Sequence, residues 1–166
     1  MEFRILGPLD VREDGAPIGL GGTKQRALLA ILLLHANEVV SIDGLIDALW
    51  DEPPAKAAKA VQVYASRLRK ALGGGMPTSR PPGYLLEVEP EQLDLARFRR
   101  LLEEARRDRD RAADLLKEAL TLWRGAPLAD LSNEPSLRGE IARLEELHLS
   151  ATEHRIGAEI ATEAPD

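Results

Sequence analysis

Lys56-Ala57-Ala58-Lys59-Ala60-Val61-Gln62-Val63-Tyr64-Ala65-Ser66-Arg67-Leu68-Arg69-Lys70-Ala71-Leu72 is the stretch on which the fold turns. Val61, Ala65, Leu68 and Leu72 recur at i, i+4, i+7 and i+11, which puts them on one stripe of a helix. Lys59, Gln62, Val63, Ser66, Arg67, Arg69 and Lys70 fall on the other side. Pro53-Pro54 lies just upstream and does not fit a helix interior, because proline lacks the N–H and restricts the residue before it. Gly73-Gly74-Gly75 lies just downstream and stops the helix. A single basic helix face is most often ordinary solvated surface. Here three features favour nucleic acid. No acidic residue occurs between Glu52 and Glu87, whereas Lys56, Lys59, Arg67, Arg69, Lys70 and Arg80 all do. An apolar Val63 sits among the outward polar positions. A hairpin carrying Arg80 follows at once, and a hairpin arginine suits a minor groove. Arginine matches guanine, glutamine matches adenine, and a small apolar side chain matches the thymine methyl.

Outward from that helix, the order of elements is strand, strand, helix, strand, helix, loop, helix and hairpin. Phe3 to Val11 reads as a strand broken at Gly7-Pro8, Asp14-Gly15 as a hairpin turn, and Pro17 to Leu20 as the returning strand. Thr23 is placed to cap a helix from Lys24 to Ala36, with Leu28, Ile31, Leu32 and His35 on its buried stripe. Val39 to Ile42 is a short strand or extended link, and Asp43 is expected to cap a second helix that ends at Trp50. Met76 to Val88 reads as a hairpin with its second strand from Gly83 to Val88. Beyond Pro90 the pattern is helical: Leu95 to Arg107, Asp110 to Trp123, and a long helix from Pro135 to Ala161, with Thr162 to Asp166 as a frayed end. This predicts an α+β helix-turn-helix region over residues 1–90 and the all-α start of a helical-repeat array over 91–166.

Bulk properties are ordinary for a soluble globular protein. The chain is 44% apolar and 30% charged, with net charge −6. Its average acidity hides the basic patch, and DNA responds to the local field. With no cysteine, a disulfide framework, a thiolate zinc site and a cysteine nucleophile are excluded. The apolar run from Ala27 to Leu34 is too short to span a bilayer, and Met1-Glu2-Phe3-Arg4 does not open a signal peptide. A cytoplasmic location is expected.

Several motifs together resemble one family. The helix from Ala60 to Leu72 and the segment Pro82-Gly83-Tyr84-Leu85-Leu86 resemble the recognition helix and wing strand of OmpR-type winged helices. Phe3 to Leu9, Lys24-Gln25-Arg26-Ala27-Leu28-Leu29, and Ala48-Leu49-Trp50 with Pro53-Pro54 resemble the Streptomyces antibiotic regulatory protein family. Asp94 to Phe98 and Ala119 to Leu128 resemble the opening of its bacterial transcriptional activator domain. That domain is built of tetratricopeptide-like helices and normally runs well beyond residue 166, so the resemblance implies an α+β winged helix-turn-helix over residues 1–90 followed by a shortened all-α, tetratricopeptide-like region over 91–166. It also implies an activator of a biosynthetic gene cluster, binding double-stranded DNA. By position, Lys59, Gln62, Val63, Ser66 and Arg67 would face bases, and Tyr64, Arg69 and Lys70 the DNA backbone. Arg80 would lie in the wing, and Thr23, Lys24 and Gln25 would hold a phosphate at a helix N-terminus. Asp51, Glu52, Pro53, Pro54 and Ala55 would form the loop that meets RNA polymerase. Two copies would sit head to tail on direct repeats.

No chemistry competes with this reading. Gly19 to Lys24 lacks the order of a phosphate loop, since Thr23 precedes Lys24. His35, His148 and His154 have no metal spacing, and Glu103-Glu104 and Glu145-Glu146 are helix-surface charges. No catalytic residue, metal or cofactor is expected. The other function class open to such a chain is a scaffold whose helical repeats bind a protein partner.

Overall fold

The computed structural model describes residues 1–163; Ala164, Pro165 and Asp166, part of the expected frayed end, lie outside them. Strands β1 (Glu2–Arg4), β2 (Asp10–Glu13) and β3 (Ala16–Pro17) form an antiparallel sheet in that order. Asp14 and Gly15 make its tight turn, both with positive φ (52° and 81°), as the Asp-Gly pair requires. The break after β1 is wider than expected: residues 5–9 belong to no strand, and β3 is only two residues long.

Helix α1 (Thr23–Leu34) starts one residue early, because Gly22 and not Thr23 occupies the N-cap position. Its burial departs further from the expected stripe. Every residue from Ala27 to Leu33 is buried. Helices α2 (Ile42–Leu49) and α3 (Ala57–Leu72) pack on one side of it, and the 3-10 turn Ala129–Leu131 of the helical region covers another. Ser41, not Asp43, caps α2: its Oγ accepts from the Gly44 N–H at 2.9 Å. In α3, Val61, Ala65, Leu68 and Leu72 are all buried, as the spacing predicts. Gly73, Gly74 and Gly75 all have positive φ, the left-handed backbone that ends a helix.

A second sheet has the order β4 (Val40–Ser41), β6 (Gly83–Leu85), β5 (Thr78–Arg80). It closes the wing against the start of α2. Gly83 pairs with Ser41, and a Cβ at position 83 would stand 1.8 Å from the Val40 carbonyl oxygen, so only glycine fits. β6 stops at Leu85, short of Val88. Residues 86–88 are instead held by Asn37, whose amide accepts from the Val88 N–H (2.9 Å) and donates to its carbonyl (3.1 Å).

The helical region consists of α4 (Asp94–Arg107), α5 (Ala112–Thr121) and α6 (Arg138–Glu163), with α4 packed on α5 and α5 on α6. A 3-10 turn, Pro135–Leu137, precedes α6 where the sequence predicts helix. The fold is thus an α+β winged helix-turn-helix followed by an all-α region. No helix among the described residues is long and apolar enough to cross a membrane.

The two regions share one apolar core that runs from Phe3 and Ile5 through Leu28 and Leu32 to Phe98, Leu128 and Leu131. Residues 5–9 lie between them and are bonded mainly by the helical region. The Asp94 carboxylate accepts from the Ile5 N–H (2.9 Å) and the Leu6 N–H (2.9 Å). On the other side, the Arg124 N–H donates to the Leu6 carbonyl (2.8 Å), and the Leu128 N–H to that of Gly7 (2.7 Å). The Asp130 carboxylate accepts from the Leu9 N–H (2.8 Å) and pairs with Arg26. Broken strand β1–β2 is therefore completed by side chains and backbone more than 80 residues away.

Candidate nucleic-acid interface

Helix α3 exposes Lys59, Gln62, Val63, Ser66, Arg67 and Lys70. Their spacing of three and four residues keeps them on one face, opposite the buried stripe. Val63 is among the few exposed large apolar residues, at 37%. The face carries no carboxylate. Beside it stands the wing, whose tip presents Ser79, Arg80, Pro81 and Pro82 to solvent. Arg80 is half-exposed and lies 3.7 Å from Glu87, a loose pair that leaves the guanidinium free to turn outward. A helix of this bulk with a flanking hairpin has the shape to enter a major groove and reach the next minor groove.

Four of the residues expected to touch the DNA backbone are engaged elsewhere. Gln25 is buried at 8% exposure, and its amide donates to the Leu20 carbonyl at 2.9 Å. It closes the turn at Gly21, where no side chain fits beside it. Lys24 pairs with Glu134 at 2.9 Å and also donates to the Leu49 carbonyl. Arg69 donates twice to the Pro77 carbonyl, at 2.9 and 3.1 Å, and so ties the foot of the wing to α3. Tyr64 is half-buried, with its ring 6.4 Å from that of Trp50 and tilted by 32°. All four side chains thus have partners inside the fold. Side-chain direction here is set by tertiary partners, which helical spacing alone does not reveal. Thr23 remains exposed at the N-terminus of α1.

Trp50 is half-buried against the core, and Asp51, Glu52, Pro53, Pro54 and Ala55 form an exposed loop between α2 and α3. Asp94 has a role that sequence reading missed. It is 3% exposed, and burial raises its carboxyl above the usual carboxylate range, opposed by the N–H groups of Ile5, Leu6 and Leu95 and by nearby Arg124. The available signal is an aspartate opening an amphipathic helix whose buried face begins at Leu95 and Phe98. Among the described residues, no cluster of His, Cys, Asp or Glu is arranged to hold a metal ion.

Two family models divide the chain. The model for "Transcriptional regulatory protein, C terminal" matches residues 16–86, and that for "Bacterial transcriptional activator domain" matches residues 93–165. Among curated relatives, regulatory protein AfsR of Streptomyces coelicolor is 40% identical over 96% of this chain and 17% of its own length. Transcriptional regulator RedD of the same organism is 37% identical over 95% of this chain and 49% of its own. The chain thus spans less than half the length of either relative. Among solved structures, Mycobacterium tuberculosis EmbR, determined in complex with a low-affinity phosphopeptide, superposes with a TM-score of 0.87. It is 36% identical, over 97% of this chain and 46% of that one. With both models in this order and relatives of this kind along the whole chain, the protein belongs to the Streptomyces antibiotic regulatory protein family of transcription regulators, in which an OmpR-type winged helix is joined to a bacterial transcriptional activator domain.

Proposed function

We propose that the chain binds double-stranded DNA sequence-specifically through α3 and the wing, and activates transcription from promoters of a biosynthetic gene cluster. The observation that carries this reading is the acid-free outer face of α3, with Lys59, Gln62, Val63, Ser66, Arg67 and Lys70 exposed beside Arg80. Gln62, Val63, Ser66 and Arg67 supply the chemistry for base edges, with Lys59 at the near end of the same face. Lys70 and Arg80, with Thr23 at the start of α1, meet phosphates or the minor groove. The winged helix occupies residues 1–90 and the activator region 91–166, although the shared core makes that boundary one of function more than of folding.

One recognition helix reads too few base pairs to single out a promoter among a genome's competing sites. Two copies on direct repeats resolve this, with the exposed loop from Asp51 to Ala55 left to meet RNA polymerase. A head-to-tail contact is heterologous and need not form without DNA. The reading assigns no catalytic residue, cofactor or metal, and places the protein in the cytoplasm.

The test is selection of bound sites from random DNA, followed by titration of the selected site at several salt concentrations. Affinity should fall steeply with salt, and Lys70→Ala should flatten the slope by about one unit. Inserting half a helical turn between the repeats should abolish cooperativity and spare single-site binding. Salt-independent binding, or no enriched sequence, would remove the DNA reading. Enrichment of inverted repeats alone would remove the tandem arrangement.

A further inference from the structure

The sequence offers Lys24 as a phosphate ligand, but the fold gives its ammonium two other partners. It donates to the carbonyl of Leu49, the last residue of α2, and it pairs with Glu134 across 2.9 Å. The last carbonyls of a helix have no partner inside the helix, and a cation there is favoured by the helix dipole. The same ammonium lies 5.9 Å from the centre of the Trp50 ring, within range of a cation–π attraction. Trp50 in turn leans on Tyr64 of α3. Glu134 is well enclosed, with 13% of its side chain exposed. It immediately precedes the 3-10 turn Pro135–Leu137, which packs on α2.

We propose that Glu134 is a positioning residue through which the helical region sets the α2-to-α3 loop: it holds Lys24 on the end of α2, and Lys24 fixes Leu49 and Trp50, from which the loop departs. The geometry explains why the residue at position 24 is a cation with a long stem. It must satisfy a carboxylate on one side, a carbonyl on the other and an aromatic face between. It also explains why a residue 110 positions away matters to the loop. The consequence for transcription rests on the polymerase-contact reading given above; the positioning itself does not.

The experiment is amide hydrogen exchange on the whole chain, read at Trp50 and Ala57, whose N–H groups donate to the Ile46 and Pro54 carbonyls at the two ends of the loop, with α4 and α5 as internal reference. Glu134→Ala should speed exchange in the loop by about fivefold or more while α4 and α5 stay protected. Glu134→Gln, which keeps the shape but removes the charge, should give an intermediate increase. Exchanging the charges, Lys24→Glu together with Glu134→Lys, should not restore protection, because a carboxylate at position 24 would face the Leu49 carbonyl. Unchanged loop exchange in Glu134→Ala overturns the proposal, and so does full protection in the charge-exchanged pair, which would reduce the contact to a generic ion pair. If loop exchange rises and promoter activation falls, the loop is also the route to polymerase. If loop exchange rises and activation does not change, the positioning stands and the polymerase-contact reading fails.

Discussion

Gly7 has a φ of +151°, and the Arg124 side chain lies 3.0 Å from where a Cβ would stand. The same Arg124 donates to the Pro8 carbonyl at 2.6 Å. The Leu6-Gly7-Pro8 motif is therefore the place where the activator region closes on the N-terminal strand, and glycine is required there by both conformation and space. Asp94 closes the other side. Its carboxylate is the hydrogen-bond partner of two buried N–H groups, those of Ile5 and Leu6. Replacing it by alanine orphans both, and an unsatisfied buried donor costs about 1–3 kcal/mol. Asp94→Ala should thus lower the thermal midpoint clearly, whereas alanine at the exposed Glu91 nearby should leave it almost unchanged. Equal, small effects at both positions would show that the Asp94 bonds contribute little. These residue-level roles were the least legible in the sequence. A motif marks Gly7 and Asp94 as related to a family, but only the fold shows that Asp94 meets Ile5 and Leu6 and that Arg124 closes on Gly7.

At the scale of elements, legibility followed periodicity. Helix α3 was read correctly, because its buried and exposed residues separate at helical spacing and its ends are marked by proline and glycine. Helix α1 was not. Its run Ala27-Leu28-Leu29-Ala30-Ile31-Leu32-Leu33 is apolar all round, which is the mark of a central helix, and the stripe drawn through it named one face of several. Ser41 and Asp43 are both good cap residues, and local sequence does not choose between them; the pairing of Val40 with Tyr84 places Ser41 at the turn into α2. The wing was legible as a hairpin, but its fit against β4 was not. That fit yields a prediction. Gly83→Ala would push a methyl group into the Val40 carbonyl, and overpacking of this kind costs about 1–3 kcal/mol or more. The wing should detach first, seen as faster amide exchange at Ser79 and Tyr84 with α4 still protected. Unchanged exchange at those residues would mean that β4 and β6 accommodate the methyl group without separating.

At the scale of the molecule, the winged helix and the helical region share a core and exchange backbone hydrogen bonds. Neither is a bead on a linker. The chain carries one tryptophan in each region, Trp50 and Trp123, which makes the coupling measurable. Trp50→Phe and Trp123→Phe variants each leave a single reporter, and denaturant unfolding followed from either should give the same midpoint. Two separate midpoints would show that the regions fold independently and that the junction is weak.

The central claim, that the outer face of α3 reads base sequence, is tested most directly by measuring affinity for a selected site and for random DNA with Gln62→Ala and Arg67→Ala at one fixed salt concentration. Each change should weaken binding to the selected site by about 1–3 kcal/mol and weaken binding to random DNA much less. Losses of the same size on both DNAs would contradict the account and leave α3 as a helix that holds phosphates without reading bases.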